Sequence, residues 1–237
     1  MNRRGELDVI VVGAGIAGSA MALALVRDGL DVAQIEVRPP PAWKVEDEVD
    51  ARVVALAADA VALFEDLGVW ADVLAARASP YRRMRVWDAL APGQLEFDSA
   101  DRGEAALGWI VENRLLQHVL WRALCKAVDD GKSLRLLCPA EVSTVENEAD
   151  GVVVGLADGA RLRSRLLVAA DGANSPIRQQ LGIGTRDRDY RQRAIVAHVG
   201  TERAHEATAW QRFQPGGPLA FLPLADGRCS IVWSPKS

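Results

Sequence analysis

Apolar and polar residues follow each other along this chain in three rhythms, and each rhythm predicts a different element. Residues 9–12 are a short β-branched run without alternation, the pattern of a strand buried on both faces. Ala17, Ala20, Ala22, Leu23 and Ala24 then read as a helix of small residues packing closely on a sheet, with Gly29 at its C-terminal cap. Residues 31–35 read as a second strand, ending on Glu36. After it the periodicity stops, and Pro39, Pro40, Pro41 and the mostly acidic run 46–50 predict a loop. Over residues 52–70, Leu56, Ala60, Leu63, Phe64 and Leu67 recur at helical spacing and Gly68 caps the helix.

Residues 82–87 and 94–97 alternate as exposed-face strands. Asn113 predicts the N-cap of a helix to about residue 128, with Leu116, Val119, Leu120 and Leu124 inward and Gly131 closing it. Strands over 151–156 and 161–168 flank Asp158-Gly159, a hairpin signal. Residues 166–170 run into Asp171-Gly172, with a short helix after Ser175. From Tyr190 onward the rhythm is β-like, with loops at 214–218 and 225–227.

The candidate chemistry sits in the first βαβ pattern. Gly13, Gly15 and Gly18 have the G-x-G-x-x-G spacing between a strand and a helix. The first allows a tight turn, the second lets a pyrophosphate approach the backbone, and the third lets helix and strand pack together. The helix N-terminus adds free N–H groups and a partial positive charge. Glu36, 18 residues after Gly18, is placed to accept from a ribose diol. An acid there favours a ribose with a free 2′-hydroxyl, as in FAD or NAD. A membrane-spanning helix is the competing reading, because residues 9–26 are nearly all apolar. That length only just reaches the spanning range, and the glycines and the lack of flanking basic bias speak against it.

The 237 residues suffice for one large domain or a domain and a half. A hydrophobic content of 49% and a charged content of 25% are those of an ordinary soluble protein, and a net charge of −4 gives no general attraction to nucleic acid. Cys125, Cys138 and Cys229 are odd in number and lack metal spacing, so a reducing, cytoplasmic setting is expected. No signal peptide and no integral membrane segment are read. Arg161, Arg163 and Arg165 occupy alternate strand positions, a phosphate-binding stripe or, preferably, a solvated strand face.

Three segments in order resemble the flavin-dependent aromatic hydroxylases (class A flavoprotein monooxygenases): VVGAGIAGSAMALALVRDGLDVAQIE, DARVVALAADAVALFEDLGVW and LLVAADGANSPIRQQLGI. GWIVENRLLQHVLWRAL and GGPLAFLPLADGRCSIVWS look like the ubiquinone-biosynthesis branch, and the resemblance covers residues 7–234. It implies an α/β fold, a Rossmann-like FAD-binding domain with an inserted, mainly antiparallel β-sheet substrate domain. The expected division is 1–78 and 105–184 for the cofactor domain, and 79–104 and 185–237 for the substrate sheet.

By resemblance, Gly13, Ala14, Gly15, Ile16, Ala17, Gly18 and Glu36 would hold the adenosine half of FAD. Arg52 would lie near flavin and pyrophosphate, Arg114 and Gln117 on a cofactor-touching helix, and Asp171 and Gly172 at the diphosphate-ribose side. Arg178 would extend that motif toward NAD(P)H. Plainer readings stand beside these: Arg52 as a surface charge, Arg114 and Gln117 as first-turn residues, and Arg178 as a solvated arginine.

The implied reaction is hydroxylation of an aromatic ring with NAD(P)H and O₂, which needs neither a metal nor a side-chain nucleophile, so no catalytic residue is named. The implied substrate is a polyprenylated phenol drawn from a membrane or a lipid-binding partner, within a ubiquinone-biosynthesis assembly. Peripheral membrane association is part of that expectation. His118 and His198 read as structural, and Trp43 and Trp210 as the tryptophans to test for a substrate chamber. The family's further G-D motif, expected after the substrate sheet, is not found before Ser237. The chain therefore reads as C-terminally truncated, the N-terminal part of a longer enzyme, with a natural truncation as the alternative. A flavin reductase or halogenase and a non-catalytic, partner-binding paralogue are the competing functions.

Overall fold

The computed structural model describes residues 6–236. In chain order the elements are β1 (Leu7–Val12), α1 (Ile16–Arg27), β2 (Val32–Ile35), β3 (Val53–Leu56), α2 (Ala58–Asp66), α3 (Trp70–Arg77), β4 (Ala78–Tyr81) and β5 (Arg83–Asp88). They continue with β6 (Gln94–Asp98), β7 (Gly108–Glu112), α4 (Asn113–Asp129), β8 (Leu134–Leu137), β9 (Val142–Glu148) and β10 (Gly151–Leu156). The last are β11 (Arg161–Ala169), α5 (Pro176–Gln180), β12 (Ile195–Val199), β13 (Thr208–Phe213), β14 (Leu219–Pro223) and β15 (Cys229–Trp233).

Among the described residues, 6–43 and 116–186 form one compact unit, and 44–115 and 187–236 form the other. This cut differs from the expected division: residues 44–78 and 105–115 cluster with the substrate-sheet segments. β3 and β4 both pair with β7 and tie those two stretches together, and β4 packs against β14 of the larger sheet.

The first unit is built on a six-stranded sheet in the order β8-β2-β1-β11-β10-β9. β8, β2, β1 and β11 are parallel, and β10 and β9 extend the sheet antiparallel. All four residues of β2 are buried, as a parallel strand covered on both faces requires. Ile10, Ala33, Ile35, Val152, Val154 and Ile177 form the centre of its core. β1 and β11 end together, Val12 opposite Ala169, so the loops after them meet at one edge. β2 lies on the other side of β1, and the order reverses there, which places a crevice outside the carboxyl ends of these strands. α1 ends at Arg27 after 12 residues, and no helix among the described residues is long and apolar enough to cross a membrane.

In the second unit, β12-β15-β14-β13-β5-β6 form one sheet, antiparallel except for β13 beside β5, and β3-β7-β4 form a smaller antiparallel sheet. Residues 52–70 depart from the single helix expected of them. Val53–Leu56 is a strand, with Val53 opposite Glu112 and Leu56 opposite Trp109, and the helix starts only at Ala58. Two β-branched valines favour that pairing, and a four-residue apolar run has no period of its own to tell strand from helix. Phe64 faces the core, whereas Leu63, expected inward, is exposed. Gly68 closes α2 in the left-handed conformation, φ 71°, its N–H donating to the Glu65 carbonyl.

The arginine stripe on β11 is ion-paired along its length. Arg161 meets Glu146 at 2.9 Å, Arg165 meets Asp8 at 3.3 Å, and Arg163 contacts Glu6, Glu148 and Asp150. These guanidinium groups have carboxylate partners in their own unit, which fits the preferred reading of a solvated strand face.

Candidate cofactor-binding site

The site is assembled where β1, β2 and β11 end. Gly13 has φ 98°, and a Cβ on it would lie 2.3 Å from the Ala170 carbonyl oxygen; only glycine lets this turn pass the Asp171-Gly172 loop. On Gly18 a Cβ would fall 1.9 Å from the Gly13 oxygen, so its role is close helix–strand packing. Gly15 differs from both, since a Cβ there meets nothing within 4 Å. The space it faces is a cleft of about 470 Å³ lined by Ala14, Gly15, Glu36, Arg38, Pro39, Pro40, Pro41 and Gln117. That volume is within the usual range of small-molecule sites.

Glu36 is fixed by its neighbours on every side. Its N–H donates to the Leu137 carbonyl at 2.9 Å and its carbonyl accepts from Ala140 N–H at 2.8 Å. Its carboxylate accepts from Ala14 N–H at 2.6 Å and from Arg38 N–H at 3.1 Å. The acid thus faces the cleft while bridging the glycine turn. Ile16, Ala17 and Gly18 form the first turn of α1, with Gly15 as N-cap and no side-chain cap. The first amide groups of any helix lack intrahelical partners, so this N-terminus offers donors and a partial positive charge to an anion.

On the other side of the crevice, Asp171 Oδ2 accepts from Ile177 N–H at 3.3 Å, whereas Oδ1 is buried with no partner among the described residues. A buried, unpartnered carboxylate oxygen is costly, and a ligand donor would satisfy it. Gly172 has φ 91°. Arg178 donates through its guanidinium to the Ala173 carbonyl at 2.8 Å and through its N–H to Ser175 Oγ at 3.0 Å. It therefore braces the loop after Asp171.

Arg52 and Arg114 belong to the second unit. Arg52 is exposed, its N–H donating to Asp50 at 3.2 Å and its carbonyl accepting from Asn113 N–H at 2.9 Å. Arg114 pairs with Asp47 at 2.9 Å. Beneath them lies an ion pair the sequence does not announce: Arg77 Nε meets the buried Glu112 carboxylate at 2.9 Å, and Glu112 also accepts from Asp50 N–H at 2.7 Å.

Trp43 stacks obliquely near His118, ring centroids 6.3 Å apart. Desolvation, reinforced by Arg122, lowers the His118 pKa, which keeps it neutral at physiological pH. In the second unit Trp210 packs edge-on against Trp87 at 6.2 Å, with the Arg85 guanidinium 5.1 Å from its ring.

Burial pushes the thiols of Cys125, Cys138 and Cys229 above the usual cysteine pKa. With folded values raised above unfolded ones, the thiols' contribution to stability is complete at neutral pH and falls as pH rises past the unfolded thiol value. All three should react slowly with a thiol reagent at pH ~8 and rapidly after denaturation. Fast labelling of the native protein would contradict this.

A family profile described as FAD binding domain matches residues 6–235. The chain belongs to the FAD-binding domain family. Its relatives are the ubiquinone hydroxylases, the branch its motifs resemble. It is 36% identical over 226 residues to 3-demethoxyubiquinol 3-hydroxylase of Escherichia coli, covering 95% of this chain and 56% of that protein. To the human ubiquinone biosynthesis monooxygenase COQ6 it is 35% identical over 240 residues, 96% of this chain and 50% of that one. The chain thus spans about half the length of these relatives. The crystal structure of PqsL, a probable FAD-dependent monooxygenase from Pseudomonas aeruginosa, superposes with a TM-score of 0.77 at 22% identity, over 98% of this chain and 61% of that one. That likeness supports the α/β fold.

FAD is the cofactor of this family, and the residues present fit its adenosine diphosphate half. Gly15 leaves room for a group against the backbone, Glu36 presents acceptors to the cleft, and Asp171 has an oxygen to satisfy.

Proposed function

We propose that this chain is part of an FAD-dependent hydroxylase that inserts one oxygen atom into the aromatic ring of a prenylated phenol in ubiquinone biosynthesis. The observation that carries the reading is the match to ubiquinone hydroxylases across nearly the whole chain, coinciding with a glycine turn and acid shaped for FAD. When bound, FAD would supply the transfer of two electrons from NAD(P)H to O₂, with one oxygen atom entering the ring C–H bond and the other leaving as water. The chain's own residues bind and orient. Gly13, Ala14, Gly15, Ile16, Ala17 and Gly18 hold the diphosphate, Glu36 the ribose, Asp171 and Gly172 the far side of the diphosphate, and Gln117 the cleft wall. Arg52 and Arg114 serve the flavin side, and Arg178, through the loop it braces, the approach of NAD(P)H. The first compact unit, with residues 44–78 and 105–115, is the cofactor-binding part and the larger sheet of the second is the substrate part. A prenylated substrate dissolves in lipid, which supports a cytoplasmic enzyme that works at a membrane surface.

The test is incubation of the whole enzyme of which this chain is part with FAD, NAD(P)H, isotopically labelled O₂ and a prenylated phenol. Mass spectrometry should find one labelled oxygen in the ring. NAD(P)H oxidation that yields only hydrogen peroxide, whatever the phenol, would sink the proposal.

Glu36→Gln keeps the shape of the side chain and removes its charge. The loss of a charge-assisted hydrogen bond to the ribose should cost about 1.5–3 kcal/mol, or roughly 10- to 150-fold in FAD affinity. Unchanged binding in a fluorescence titration would mean that the ribose is held elsewhere.

A further inference from the structure

Gln34 lies on β2, two residues before Glu36, and is fully buried. Its Nε2 donates to the Gly13 carbonyl at 2.7 Å, a bond within the core between residues 21 positions apart. The amide orientation is fixed by chemistry, since a carbonyl oxygen only accepts and must face the NH₂ end. The other end is left unsatisfied: Oε1 is buried with no partner among the described residues. An apolar side chain of this shape would carry no such penalty, so the amide is retained for the bond it makes.

That bond acts on the turn that faces the cleft. Next along the chain, the Ala14 carbonyl accepts from the buried Ser19 hydroxyl at 3.2 Å, and Ala14 N–H is held by Glu36. Two consecutive carbonyl oxygens are thus held by side-chain donors inside the protein, Gln34 on one and Ser19 on the other. An anion at Gly15 meets backbone N–H groups only if these oxygens stay turned away. A carbonyl dipole rotated toward the cleft would repel each phosphate charge in a medium that screens poorly.

We infer that Gln34 is a positioning residue for the diphosphate: its amide holds the Gly13 carbonyl away from the cleft, and Ser19 does the same for Ala14. The inference rests on the reading of this cleft as the adenosine diphosphate site. It touches no flavin chemistry and is read with simpler ligands.

The experiment is calorimetric titration of ADP and of adenosine into the wild-type protein, Gln34→Met and Gln34→Glu, with thermal unfolding of each. Methionine keeps the length and volume and removes the donor. Gln34→Met should bind ADP about tenfold more weakly while adenosine affinity changes less than about twofold. Its unfolding temperature should fall modestly, because the orphaned Oε1 is removed but the buried Gly13 carbonyl loses its donor. A purely structural role for Gln34 would instead weaken both ligands alike. Gln34→Glu, whose buried carboxyl is driven to the protonated form and can still donate to the Gly13 carbonyl, should bind ADP more tightly than Gln34→Met does. An unchanged ratio of ADP to adenosine affinity in both variants would overturn the inference. Failure of the wild-type protein to bind ADP at all would overturn the reading of the cleft itself, a distinguishable outcome.

Discussion

Gly15→Val should give a folded protein that no longer holds FAD, while Gly13→Val and Gly18→Val should fail to fold. The three glycines belong to one motif, yet their surroundings differ. Gly15 has φ −68°, which any residue adopts, and its missing side chain points into open space. A valine there should change stability by no more than about 0.5 kcal/mol, as for an ordinary surface substitution. The same side chain stands where a diphosphate would touch the backbone. Loss of that contact should weaken FAD by about 1000-fold or more, equivalent to about 4 kcal/mol. At Gly13 and Gly18 a Cβ runs into backbone at 2.3 Å and 1.9 Å, which no rotamer change relieves. Flavin absorbance after purification and a thermal melt separate the two behaviours. A yellow Gly15→Val protein, or a stable colourless Gly18→Val, would contradict the division of roles.

The second large effect is one of stability. Glu112 is 2% exposed, and its carboxylate is held by Arg77 and by Asp50 N–H. Arg77 reaches on to the Asp47 carbonyl at 2.8 Å, and Asp47 pairs with Arg114. One clamp therefore fixes the loop before Arg52 and the start of α4, the two places that carry the second unit's cofactor candidates. Glu112→Ala leaves a guanidinium largely buried without its carboxylate and should cost about 3–5 kcal/mol. Replacing both partners, as Arg77→Met with Glu112→Leu, should recover much of that loss, because the desolvation cost of both charges disappears. Chemical denaturation of the three variants checks this. A Glu112→Ala protein as stable as the wild type would show that the pair contributes nothing.

The first βαβ unit was legible because its signals are local and agree: a β-branched run, glycines at fixed offsets, small helical residues and an acid at the end of β2. The Asp158-Gly159 hairpin and Gly68 were legible for the same reason, each resting on a turn chemistry that one or two residues specify. What the sequence hid depends on partners far along the chain. Val53–Leu56 becomes a strand because β7 lies beside it, and nothing within those four residues announces β7. Glu112 stands at the end of an apolar run, and only the fold brings Arg77 to it across 35 positions. No local pattern gives Gln34 a role, and only the parallel pairing of β1 and β2 brings it to the Gly13 carbonyl. The lining of the cleft by Arg38 and the three prolines was equally hidden, since a proline run reads only as a break in periodicity.

We propose that the adenosine half of FAD occupies the crevice where β1, β2 and β11 end. A crystal structure of the protein with FAD bound tests it most directly. The predicted result places the ribose diol on the Glu36 carboxylate, the diphosphate over the backbone of Gly15 and the first turn of α1, and a donor on Asp171 Oδ1. An adenosine lying elsewhere, with Glu36 still occupied only by Ala14 and Arg38, would contradict it.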